Sequence, residues 1–147
     1  MKNIAVFCSG NGTNLQAIIN AVKRGYIKAR IKLVVCDNPR AYALKRAKKA
    51  GIETYVQTKG AFKTRQDYDK AVVRKLKDER IDLVVLAGFM RLLSGYFVNA
   101  YKNRILNIHP ALLPSFKGTR GIKDALDHGV KVTGPTVHFV NEELDAG

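Results

Sequence analysis

The chain has 147 residues, 46% of them hydrophobic and 8% aromatic, and 26 Lys plus Arg against 12 Asp plus Glu leave a formal charge of +14. This length and apolar content suit one globular domain with a sizeable core; they exclude intrinsic disorder and argue against a disulfide-stapled miniprotein or a two-domain chain. No stretch approaches the ~18 apolar residues of a membrane span, and the apolar start that ends at Cys8 is broken by Ser9-Gly10-Asn11-Gly12 before it could act as a signal-peptide core. A cytoplasmic location with no membrane partner is expected.

In chain order, short apolar runs alternate with helical patterns. Strands are expected at 3–8, 31–36, 54–57, 81–87, 104–108 and 132–140, and helices near 14–24, 41–50, 65–80, 94–102 and 119–128. The helix from 65 is the best marked. Thr64 and Asp67 make a capping-box-like start, and Tyr68, Val72 and Leu76 recur every four residues on one face. Gly25, Gly51 and Gly129 stand where helices should end. Leu33-Val34-Val35 and Leu83-Val84-Val85-Leu86 are apolar on both faces, as strands are when helices cover both sides of a parallel sheet. The expected fold is therefore α/β: an open, mostly parallel, twisted sheet in a single domain spanning 1–147. Cys8 and Cys36 each close an apolar run and read as reduced, buried thiols.

The charge is lopsided. Residues 1–75 hold 17 basic and 4 acidic residues, whereas residues 76–147 hold 9 and 8. The cations near Lys45, Arg46, Lys48 and Lys49 lack interleaved aromatic residues on which bases could stack, so most read as solvated surface, and a small phosphorylated ligand is expected rather than nucleic acid.

In such a sheet ligands bind beyond the C-terminal ends of the strands, which singles out four segments. Ser9-Gly10-Asn11-Gly12-Thr13-Asn14 follows the first strand and opens the first helix; its glycines and helix N-terminus suit a phosphate, and the same residues would serve as an ordinary turn capped by Thr13 or Asn14. The dinucleotide fingerprint would need glycine at Leu15, although Asp37 could mimic its ribose-binding acid. Gly88-Phe89-Met90-Arg91-Leu92-Leu93 follows the most apolar strand, where Phe89 and Met90 could line a pocket for a flat ring or simply pack the core. Asn107 and His109, two apart on a strand that Pro110 stops, project to one side. An amide donor beside an imidazole can hold an oxyanion and move a proton, and a buried histidine satisfied by backbone is the plainer alternative. Asp145 in the last loop could reach His109 and favour its charged form. His128 reads as a helix-terminal residue and His138 as a strand residue, and with no Cys/His cluster at ligand spacing no metal is expected.

Taken together, Ser-Gly-Asn-Gly-Thr-Asn-Leu-Gln-Ala at 9–17, Leu-Ala-Gly-Phe-Met-Arg at 86–91, Asn-Ile-His-Pro-Ala-Leu-Leu-Pro at 107–114 and Thr-Val-His-Phe-Val at 136–140 resemble the motifs of phosphoribosylglycinamide formyltransferases. The resemblance implies a Rossmann-like formyltransferase fold that continues, in the family, with a C-terminal strand and long helix beyond the part that Gly147 closes here, as expected of a fragment or of an incomplete sequence. It also implies transfer of the formyl group of 10-formyltetrahydrofolate to the amine of glycinamide ribonucleotide, with that folate as co-substrate and no metal. Carried onto this chain, Gly12, Thr13 and Asn14 would hold the ribonucleotide phosphate, and Arg65, Met90, Arg91, Leu92, Leu93 and Asn107 would meet the folate. Asn107, His109 and Asp145 would be catalytic, Asp145 raising the pKa of His109. Residues 1–80 would form a phosphate-binding half and 81–147 a catalytic and folate-binding half. Methionyl-tRNA formyltransferase, formyltetrahydrofolate hydrolase and a non-catalytic nucleotide-binding module remain as alternatives, and a homodimer is left open.

Overall fold

The computed structural model describes residues 1–109 and 136–140. The expected alternation is present: β1 (Lys2–Cys8), α1 (Thr13–Lys23), β2 (Ala29–Cys36), α2 (Tyr42–Lys49), β3 (Glu53–Val56), a 3-10 turn (Lys59–Ala61), α3 (Arg65–Asp78), β4 (Leu83–Leu86), α4 (Gly95–Ala100), β5 (Ile105–His109) and β6 (Thr136–Phe139). The expected helix at 119–128, and the 132–135 part of the last strand, lie outside the described residues.

The strands form one sheet in the order β3-β2-β1-β4-β5-β6. Every neighbouring pair is parallel except β5 with β6, which is antiparallel. β1 is central, and the chain builds outward from it in one direction through β3 and in the other from β4. The reversal of strand order leaves a crevice between the C-terminal ends of β1 and β4, the place where doubly wound sheets bind ligands.

Side-chain alternation distributes the core over the two faces. Ala5 and Phe7 of β1 join Leu33, Val35, Val84, Leu86 and Ile105 beneath α3 and α4, which contribute Tyr68, Val72, Leu76, Phe97 and Tyr101. Ile4, Val6 and Cys8 join Val34 and Cys36 beneath α1 and α2, which contribute Leu15, Ile19, Ala43 and Ala47. Ile31 and Leu33 break the two-residue rule by lying on opposite faces. The β1–β2 register shifts between Ile4 and Ala5, and Lys32 is the extra residue that the bulge absorbs. Freed from the ladder, Lys32 donates from Nζ to the Glu79 carbonyl at 2.9 Å and pairs with its carboxylate at 3.4 Å.

Helix ends follow local chemistry. Thr64 caps α3 by accepting from the Asp67 amide at 3.1 Å, as its sequence anticipates. The helix stops at Asp78, two residues before the expected end, because Arg80 turns left-handed (φ 54°) and the Ile81 amide reaches back to the Leu76 carbonyl at 2.9 Å in a Schellman-type cap. Gly25 and Gly51 occupy left-handed positions after α1 and α2, as expected. Among the described residues no helix is long and apolar enough to cross a membrane.

Candidate active site

The crevice holds a pocket of about 260 Å³ lined by Ser9 to Asn14 from the β1–α1 loop and by Ala87, Gly88 and Met90 from the loop after β4. The two loops are tied together. The Ser9 amide donates to the Gly88 carbonyl at 3.2 Å, and the Met90 amide donates to Ser9 Oγ at 2.9 Å.

On the β1 side, the cap of α1 is Gly12, in the left-handed region at φ 78°, and no side chain caps the first turn. That corrects the alternative in which Thr13 or Asn14 served as cap: both lie inside the helix start and are exposed. A β-carbon at residue 12 would stand 2.7 Å from Ala43 Cβ and would also oppose the positive φ, so only glycine fits. With no acid in its first turn, α1 presents unsatisfied N–H groups and the positive end of its dipole to the pocket, which is what an anion requires.

On the β4 side, the groups are side chains. Phe89 packs edge-on against Phe7 with ring centroids 5.2 Å apart, and Leu93 is partly buried against the same core. Met90 and Leu92 are instead 67% and 55% exposed, an apolar pair facing solvent beside the pocket. The Arg91 guanidinium stacks on the Tyr68 ring at 3.9 Å, with its Nε buried and unpartnered among the described residues. Arg65 is exposed at the start of α3, three residues before Tyr68, and outside the residues lining the pocket. Asp69, 2% exposed, accepts from the Ser94 amide at 2.7 Å and anchors the start of α4 just beyond this loop. Nothing in its surroundings in sequence marks Asp69 for that task.

One strand further out, Asn107 pairs in register with Leu86 of β4 on one side and with His138 of β6 on the other. Directly opposed residues of an antiparallel pair share a face, so His138 stands beside Asn107, with Asn107 Nδ2 3.5 Å from His138 Nε2. The Phe139 carbonyl, 3.0 Å from His138 Nδ1, can only accept. Nδ1 therefore carries the proton, and in the neutral ring Nε2 accepts from the Asn107 amide, fixing which way that amide faces. Reading the sequence placed His138 on a strand and missed this neighbour, because the antiparallel register arises only when β6 returns. His109 ends β5 opposite Thr136. Asp145 lies outside the described residues. Among the described residues no group of His, Cys, Asp or Glu is arranged to hold a metal.

Cys8 and Cys36 are register partners on β1 and β2, free and buried, in agreement with the expectation. Cys8 Sγ donates to the Val35 carbonyl at 3.8 Å and Cys36 Sγ to the Asn38 carbonyl at 3.2 Å, and the interaction between the two neighbouring thiols pushes Cys8 up and draws Cys36 down to about 7.

Comparison with known proteins gives this geometry a family. The formyl transferase family model matches residues 2–147. Phosphoribosylglycinamide formyltransferase of Escherichia coli is 46% identical over 145 residues, covering 99% of this chain and 68% of that protein. The chain belongs to the phosphoribosylglycinamide formyltransferase family. The crystal structure of glycinamide ribonucleotide transformylase 1 from Symbiobacterium toebii superposes with a TM-score of 0.98 at 46% identity, over 100% of this chain and 69% of that one. The family's sequence also occurs inside larger proteins: the trifunctional purine biosynthetic protein adenosine-3 of Gallus gallus is 50% identical over 98% of this chain, which spans only 14% of it.

Proposed function

We propose that this chain transfers the formyl group of 10-formyltetrahydrofolate to the primary amine of glycinamide ribonucleotide, a step of purine synthesis. The observation that carries the reading is the pocket between β1 and β4, in which an uncapped helix start built for an anion opposes an apolar loop. Relatives named phosphoribosylglycinamide formyltransferase support formyl transfer to that ribonucleotide.

In this reading the amides of Gly12, Thr13 and Asn14 bind the ribonucleotide phosphate. Met90, Arg91, Leu92 and Leu93 receive the folate, whose rings suit exposed apolar side chains and whose acidic tail suits Arg91 and Arg65. Asn107 lies two strands from β1, roughly 10 Å away, a span suited to a ribose phosphate carrying an amide arm. The amine forms a bond to the formyl carbon, and the bond from that carbon to the folate nitrogen breaks. Asn107, oriented by His138, donates to the oxygen on which charge develops. His109 supplies the proton that the folate nitrogen gains, matching the one the amine loses, and Asp145 favours its charged form. Arg65 apart, residues 1–80 thus serve the phosphate and 81–147 the folate and the chemistry.

The test offers the protein 10-formyltetrahydrofolate with glycinamide ribonucleotide, with initiator methionyl-tRNA, or with water alone. Tetrahydrofolate should form only with the ribonucleotide. Turnover on tRNA, or release of formate without an acceptor, would contradict the proposal.

A further inference from the structure

The anion loop does not hold its own shape. Its helix lacks a side-chain cap, Gly12 is left-handed, and Asn11 is exposed. What fixes it comes mainly from α2. The Ala43 amide donates to the Gly10 carbonyl at 3.1 Å. Arg46 donates from Nε to the Asn11 carbonyl at 2.9 Å and from Nη2 to Asn11 Oδ1 at 2.8 Å, while Nη1 lies 3.5 Å from Gln16 Oε1. Its guanidinium itself lies over the Tyr42 ring, 4.9 Å from the centroid.

We infer that Arg46 is the positioning residue of the phosphate loop, fixing Asn11 and hence the direction of the Gly12, Thr13 and Asn14 amides. The inference rests on the reading of that loop as the phosphate site. The planar fork suits the task because two donors in fixed geometry fix both the backbone and the side chain of one residue, which a single ammonium cannot do. The charge is also left over: both strong contacts are to neutral oxygens, and among the described residues no carboxylate forms an ion pair with Arg46. The guanidinium therefore adds positive potential beside amides already disposed toward an anion. Four α2 cations read alike in the sequence; the structure separates this one, half-buried and engaged, from Lys45, Lys48 and Lys49, which are exposed.

The experiment compares wild type, Arg46→Ala and Arg46→Lys with glycinamide ribonucleotide and with the corresponding riboside lacking the 5′-phosphate, measuring KM and kcat for both and KM for the folate. Arg46→Ala should raise the ribonucleotide KM about 10- to 100-fold, as expected when a charged fork is lost, with kcat and the folate KM within about 3-fold of wild type. Arg46→Lys should recover only part of the loss, and both variants should match wild type on the riboside. An Asn11→Ala change should add little to Arg46→Ala, since Arg46→Ala has already removed the contact to Asn11 Oδ1 that it breaks. If wild type prefers the ribonucleotide and Arg46→Ala keeps that preference, Arg46 has no positioning role and the loop reading stands. If wild type uses nucleotide and riboside alike, the loop is not a phosphate site and the inference falls with it. A uniform rise in both substrates' KM values would reduce Arg46 to a structural residue and also overturn the proposal.

Discussion

The two loops that meet in the crevice are built on opposite plans. The loop after β1 offers the backbone amides of an uncapped helix start, and its shape is imposed from outside by Ala43 and Arg46. The loop after β4 offers side chains: Met90 and Leu92 stand open to solvent while Phe89 and Leu93 pack into the core behind them. Each plan fits a ligand class, since an anion is best bound by fixed N–H dipoles and a flat ring by apolar area with one cation nearby. Two left-handed glycines show the difference most clearly. A β-carbon at Gly12 would run into Ala43, whereas at Gly88, φ 77°, it would meet nothing within 4 Å.

The largest effect should therefore come from Gly12→Val. The left-handed backbone and the overpacking against Ala43 together predict a loss of about 3 kcal/mol or more in denaturant unfolding, and a steep rise in the ribonucleotide KM with the folate KM nearly unchanged. Equal weakening of both ligands would erase the distinction between the loops. Gly88→Ala should cost only the backbone part, about 1–2 kcal/mol, and any kinetic change should fall on the folate. Ser9→Ala sharpens the comparison differently, because its hydroxyl accepts from the Met90 amide and ties the loops together. Stability should drop by about 1 kcal/mol, with KM rising a few-fold for both substrates.

The smallest effect serves as a control remote from both loops. Lys75, paired with Glu79 at 2.8 Å, holds the Glu79 carboxyl below its ordinary 4.5, with Lys32 adding to the effect. A lowered carboxylate stabilises the fold above its ordinary value and loses that contribution as pH falls through the lowered one. Glu79→Gln should thus melt lower than wild type at neutral pH, the gap closing in acid, and neither KM should move.

Much of this was legible in the residues themselves. Short continuous apolar runs and helical faces of period 3.6 located all eleven elements of the described residues but the 3-10 turn to within a few residues, the last strand in part, and glycines after strands marked the crevice. What was not legible depends on pairing over long range. Lys32 as a bulge, β6 running antiparallel, His138 beside Asn107 and Asp69 under Ser94 each require knowing which element lies alongside. Arg46 shows the limit plainly: an arginine among lysines on a helix gives no local sign that its fork closes on a loop 35 residues earlier.

The central claim, that one crevice carries an amide site for phosphate and a side-chain site for folate, is tested most directly by amide chemical-shift titration of the protein. Glycinamide ribonucleotide should move the Gly12, Thr13 and Asn14 amides, and a non-reactive folate analogue should move those of Gly88 to Leu93, with little overlap. Ribonucleotide shifts confined to the β4 loop, or one common set of amides for both ligands, would contradict it.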